Sequence, residues 1–210
     1  MKHGLDGISL CVLVSGGPDA GSYERLVTRL VQAGVRMLQI RDKDLSDSVL
    51  AARVEAAVVI ARSVAPLRVP RVIVNDRVHV AAKAGADGVH VGAGDMPVAE
   101  ARGVLGASAI IGRTAHSIDE ARQAVADGAD YLGVGPCFPS TTKSFAAHAS
   151  RAFLAEAAKL PLPVFAIGGI TVDRVSLLRA LGIERVAVAG AIMSAADPSG
   201  SARRFLDALA

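Results

Sequence analysis

One phrase recurs four times along this chain: "AGVRMLQI" at 33–40, "AGADGVHV" at 84–91, "DGADYLGV" at 127–134 and "LGIERVAV" at 181–188. Each is a glycine suited to ending a helix in the left-handed conformation, followed by a short apolar run that reads as a buried strand. Between the phrases lie further pairs, with strands at "VIVN" (72–75), "AIIG" (109–112) and "VFAIG" (164–168) and helices over 22–33, 46–62, 97–104, 117–127, 150–159 and 171–181. With "ISLCVLV" (8–14) as the first strand and 198–209 as the last helix, the pattern comes to eight strand–helix units. Strict alternation implies a parallel sheet with right-handed crossovers. Eight units in 210 residues fit a (β/α)8 TIM barrel, with residues 1–210 forming one domain. An open doubly wound sheet is the competing arrangement, but "SGGPDAG" after the first strand does not match the spacing of a dinucleotide loop.

The core must be aliphatic, because hydrophobic residues make up 51% of the chain and aromatic ones only 3%. That mix suits buried parallel strands under Ala-rich helices. The net charge is +3, from 23 basic and 20 acidic residues that are scattered, so nucleic acid is not an expected partner. The run from Ile8 to Val14 is too short to span a membrane and lacks a signal-peptide layout, which leads to the expectation of a soluble, cytoplasmic protein. Cys11 and Cys137 lack metal-type spacing and read as reduced thiols.

In a (β/α)8 barrel the chemistry sits where the strands end. Here those ends read Ser15, "QIRDK" (39–43), Asn75-Asp76, Gly92 to Asp95, Thr114 with His116, "GPCFPSTTK" (135–143), Gly168-Gly169 and Ala189-Gly190. Asp76 and Asp95 follow consecutive strands, so both carboxylates can reach one Mg2+, a hard cation that shares its shell with substrate phosphates. Each aspartate also stands where it could cap a helix, and spacing alone leaves both roles open. Arg41 and Lys43, with Lys143, could neutralise a polyphosphate, although "RDKDLSD" also reads as a solvated charge run. The glycines of "IGGI" and "VAGAI" suit a monophosphate held by backbone N–H groups, or simply tight turns. His79 and His90 read as packing or surface residues, His116 as a ligand-orienting or capping group, and His148 as part of a loop. No Ser-His-Asp, Cys-His or HExxH arrangement can be assembled.

Taken together, "QIRDKDLS", "VNDRVHVAAKAGADGVHVGAGDMP", "IIGRTAH", "GADYLGVGPCFPSTTK" and "FAIGGI" resemble the thiamine-phosphate synthase family, in order and spacing, from about residue 33 onward. The resemblance implies a Mg2+-dependent condensation of a hydroxymethylpyrimidine diphosphate with a thiazole phosphate carboxylate, releasing pyrophosphate. It implies that Gln39, Ile40, Arg41, Asp42, Lys43 and Asn75 hold the pyrimidine diphosphate and that Asp76 and Asp95 ligate the metal. Thr114 stands where the family usually has serine, beside the pyrimidine. Ser140, Thr141, Thr142, Gly169, Ala189 and Gly190 match positions around the thiazole phosphate, and Lys143 matches a lysine on the diphosphate. Arg41, Lys43, Thr114 and Lys143 are the expected catalytic set. Two departures bear on the thiazole side: the family's "TPTK" is "STTK" here, and "VSAI" is "AGAI", which keeps backbone donors but loses a hydroxyl.

The implied mechanism is dissociative: positive groups stabilise the departing pyrophosphate while the aminopyrimidine stabilises the cation left behind. Two other readings remain. A thiazole tautomerase on the same fold would need a histidine where this chain has Pro136, and a non-catalytic phosphate-ligand sensor would leave the paired aspartates unexplained. The expected partners are small molecules, and the sequence is compatible with a homo-oligomer.

Overall fold

The structure, a computed structural model, describes residues 4–17, 19–139 and 148–210. Eight parallel strands, β1 (Leu10–Val14), β2 (Met37–Ile40), β3 (Arg71–Asn75), β4 (Gly88–Val91), β5 (Ile110–Ala115), β6 (Tyr131–Val134), β7 (Val164–Ile167) and β8 (Arg185–Val188), close in sequence order into a barrel. Closure is made by β1 pairing with both β2 and β8. Around it run α1 (Ala20–Gln32), α2 (Asp47–Val64), α3 (Val78–Lys83), α4 (Val98–Leu105), α5 (Ile118–Ala126), α6 (Arg151–Ala157), α7 (Val175–Arg179), α8 (Gly190–Met193) and α9 (Pro198–Leu209). The (β/α)8 expectation is met.

Local chemistry sets the boundaries. Asp19, Ser46, Ser117 and Ser150 cap α1, α2, α5 and α6 by accepting from backbone N–H groups three residues on. The four phrase glycines, Gly34, Gly85, Gly128 and Gly182, all take positive φ (98°, 65°, 82° and 83°), a region that L-residues other than glycine avoid. Asp87 and Asp130, two residues after their glycines, accept from the N–H groups of Val72 and Ile111 at 2.8 Å each, fastening the preceding helix-to-strand turn to the neighbouring strand.

Two differences from the sequence reading have local causes. The helix expected over 171–181 opens as a single 3-10 turn, Val172–Arg174, before α7. The short α8 was not expected: four residues are too few to carry a helical period.

Two apolar layers result from strand alternation. The larger, between strands and helices, includes Val12, Leu38, Ile40, Val74, Val89, Ile111 and Leu132. The smaller fills the barrel with Cys11, Leu13, Met37, Ile73, Ile110, Tyr131, Phe165 and Ala187, joined by Leu5 and Ile8. Cys11 and Cys137 are free and buried, and burial pushes each thiol up to about 12. Among the described residues no helix is long and apolar enough to cross a membrane.

Candidate active site

At the strand mouths the structure brings Asp76 and Asp95 together. Asp76 directly follows β3 with φ 62°, a left-handed conformation uncommon for any residue but glycine, asparagine or aspartate. Its N–H donates to the His90 carbonyl of β4 at 2.9 Å, which aims the residue at the neighbouring strand's loop. There Asp95 folds back so that its Oδ2 accepts from Gly92 N–H at 2.7 Å. Neither aspartate caps a helix: Arg77 and Pro97 stand at the cap positions of α3 and α4, and no side chain bonds there. Partial burial raises the Asp76 carboxyl above its ordinary value, and contact with Asp95 raises it further, while Lys43, with Nζ 3.5 Å from Asp76 Oδ2, pulls it back. Two carboxylates held against each other by separate backbone bonds suit a hard divalent cation that takes one or two carboxylates and completes its shell with substrate oxygens. Among the described residues no cluster of three or more ligating side chains exists that would cage an ion alone.

The expected charge run divides by function. Asp42 is engaged within the protein: its Oδ2 accepts from Arg53 at 2.9 Å and from Gly16 N–H at 3.1 Å. Asp47 pairs with Arg77 and His79, so His79 is a surface partner. Lys43 faces the aspartate pair, and Arg41, half-buried at the end of β2, has no carboxylate at salt-bridge distance among the described residues. Ile40 points its side chain into the outer apolar layer, leaving only its backbone toward the mouth. Gln39 lies inside the barrel, 3% exposed, and Asn75 pairs in register with His90. Gly169, at φ 63°, packs so closely under the carbonyls of Phe138 and Pro139 that a Cβ has no room. Ala189 packs against the inner layer, and Gly190 opens α8 beside it. Ser140, Thr141, Thr142 and Lys143 lie outside the described residues.

Thr114 faces the mouth from β5 with a buried partner below it. His90 Nε2 lies 2.8 Å from Thr114 Oγ1, and Nδ1 lies 3.1 Å from the Tyr131 hydroxyl. Burial first, then the positive charge of Arg113, lowers the imidazole to about 4, so it is neutral at pH 7. His116 binds no such partner; its Nδ1 sits 2.6 Å from the Gly135 carbonyl and ties β5 to β6.

Sequence reasoning missed the groups that shape the loops. Arg53 of α2 donates to the carbonyls of Gly16 and Gly17 after β1. Arg77 donates to the carbonyls of Lys43 and Leu45 after β2. Arg113 grips Gly92 O after β4. Arg174 grips Gly169 O at 2.5 Å and Pro139 O at 3.4 Å, with its guanidinium 5.0 Å over the Phe138 ring. The planar fork suits this role. Replacing Arg174 by Met should leave the fold intact but speed amide exchange at Phe138, whose N–H donates to Gly168 O at 3.0 Å, by about tenfold or more. Unchanged protection there would show that the guanidinium does not hold these loops.

A closed parallel barrel whose mouth gathers a carboxylate pair, a facing lysine and glycine-lined turns has the layout of the (β/α)8 proteins that handle phosphorylated ligands. The comparisons with known proteins agree and narrow that class. A family model described as thiamine monophosphate synthase matches residues 10–192, and the chain belongs to that family. It is 39% identical over 212 residues to the thiamine-phosphate synthase of Synechococcus sp. (strain WH7803), covering 99% of this chain and 59% of that protein. It is 41% identical over 197 residues to the thiamine-phosphate synthase of Anaeromyxobacter dehalogenans (strain 2CP-C), covering 92% of this chain and 84% of that one. The solved thiamine phosphate pyrophosphorylase from Pyrococcus furiosus superposes with a TM-score of 0.82 at 27% identity, covering 96% of this chain and 95% of that chain. The chain thus spans less than two thirds of the Synechococcus protein's length and nearly all of the Pyrococcus one.

Proposed function

We propose that this chain is a thiamine-phosphate synthase that joins a hydroxymethylpyrimidine diphosphate to a thiazole phosphate and releases pyrophosphate. The observation that carries the reading is the meeting of Asp76, Asp95 and Lys43 at three adjacent strand ends, with Thr114 on the next strand. Family membership supports the choice of substrates.

The bond that breaks joins the pyrimidine methylene to the diphosphate oxygen, which leaves with the electron pair. The methylene cation is stabilised by the electron-rich aminopyrimidine, and the thiazole nitrogen's lone pair forms the new C–N bond. If the thiazole carries a carboxylate, its loss as CO2 leaves the electron pair on the ring carbon, which takes a proton from water to give the same product. Arg41 and Lys43, with Lys143, neutralise the departing charge. Gln39, the backbone of Ile40 and Asp42, and Asn75 surround the pyrimidine diphosphate. Ser140, Thr141, Thr142, Gly169, Ala189 and Gly190 receive the thiazole phosphate, and no general base is required for the bond exchange. Asp76 and Asp95 would hold Mg2+, which when bound supplies further neutralisation of the diphosphate oxygens. The barrel acts as a single catalytic domain, and the free buried thiols suit a cytoplasmic setting.

The test is pyrophosphate release from the purified chain with both substrates and Mg2+, run beside single-substrate and EDTA controls. Release that needs both substrates and metal, matched by thiamine phosphate, is the expected result. Conversion of a thiazole tautomer without pyrophosphate would instead establish the isomerase reading.

A further inference from the structure

Buried inside the barrel, His90 is more than packing. β4, β5 and β6 register so that Gly112 lies between His90 and Tyr131, and Gly133 lies beside Thr114. A Cβ at Gly112 would collide with both rings, and one at Gly133 would come within 3.0 Å of the imidazole. Two inward positions are therefore left empty to seat one imidazole against one phenol, their ring centroids 5.4 Å apart.

The hydrogen bonds along this line have a direction. A neutral imidazole has one donor and one acceptor nitrogen, and a hydroxyl has a single proton. The Tyr131 hydroxyl bonds His90 Nδ1 at 3.1 Å, and between these two groups the phenol O–H is the stronger donor and the unprotonated imidazole nitrogen the stronger acceptor. Tyr131 O–H then donates to His90 Nδ1, and His90 Nε2–H donates to Thr114 Oγ1 across 2.8 Å. The threonine's own proton has nowhere to go along this chain and turns toward the mouth.

We infer that His90 is a positioning residue: fixed by Tyr131 as the Nε2–H tautomer, it makes Thr114 present a hydrogen-bond donor to an acceptor atom of the ligand, a ring nitrogen of the pyrimidine rather than its exocyclic amine. The identity of the ligand rests on the proposed function, but the direction of the relay does not.

Two measurements test this. Nitrogen-15 NMR of the histidine-labelled protein, with His90 assigned by its disappearance in His90→Gln, should show a pyrrole-like protonated Nε2 and a pyridine-like Nδ1. The opposite tautomer would overturn the inference whatever the protein's activity. In turnover, His90→Met should raise KM for the pyrimidine diphosphate about tenfold, with KM for the thiazole phosphate unchanged. His90→Gln, whose amide N–H can stand in for Nε2–H, should recover most of that loss. Equal shifts in both KM values, or no advantage of Gln over Met, would mean that His90 only fills space. A wild-type protein with no turnover would sink the synthase reading, while the tautomer would still decide the relay.

Discussion

Asp76→Asn should abolish most turnover and, at the same time, make the ligand-free protein more stable. The carboxyl of Asp76 is raised in the folded state, so its stabilising contribution is full below the ordinary carboxylate value and is lost as pH rises through the raised one. At neutral pH the ionised pair is a liability. Asparagine removes that charge, keeps the shape and tolerates φ 62° at least as well. A gain of about 1 kcal/mol would move Tm by about 2–4 °C in a chain of this size. Thermal melts without metal should therefore show the variant above the wild type near pH 7, with the gap closing toward pH 4, roughly the range where carboxylates protonate. With the pair holding Mg2+ as proposed, loss of one carboxylate charge should cost several kcal/mol of transition-state stabilisation, or at least about 100-fold in turnover. Asp95→Asn should show the same loss of turnover. A variant with wild-type turnover, or one less stable at neutral pH, would contradict the assignment of these aspartates.

Gly112→Ala should markedly destabilise the barrel. The new carbon would have to share space with the Tyr131 ring and His90 Nδ1, both fixed by their own hydrogen bonds and neighbours. Overpacking a filled interior costs about 1–3 kcal/mol, and here no flexible chain end can yield, so the upper figure applies. That corresponds to a drop of about 6–12 °C in Tm. Gly103→Ala supplies the contrast: it lies within α4 with nothing near its would-be Cβ, so it should gain about 0.5–1 kcal/mol. Differential scanning calorimetry of both variants checks the pair, and a destabilised Gly103→Ala beside a tolerant Gly112→Ala would refute the account.

Barrel topology was legible because its signals are local. Four glycines that stop helices act through their own φ, and strand alternation acts through neighbours in sequence. The meeting of Asp76 and Asp95 was legible for a related reason: consecutive strands in a closed barrel must adjoin. What spacing could not decide was whether they cap helices, since that depends on a backbone turn at Asp76 and a fold-back at Asp95. His90 was read as packing because one histidine between two valines carries no message alone. The signal was there in three strands at once: glycine at the inward positions 112 and 133 leaves a gap that only a large neighbour can fill. The arginine grips were not legible, because a guanidinium that bonds a carbonyl is indifferent to the side chain there and leaves no pattern.

That indifference has an evolutionary consequence. Arg53, Arg77, Arg113 and Arg174 hold main-chain oxygens, which every residue supplies, so loop side chains can be exchanged without dismantling the loops. A barrel suspended this way separates inheritance of shape from inheritance of specificity. Grafting loop residues from relatives with other ligand preferences is the kind of engineering it should tolerate.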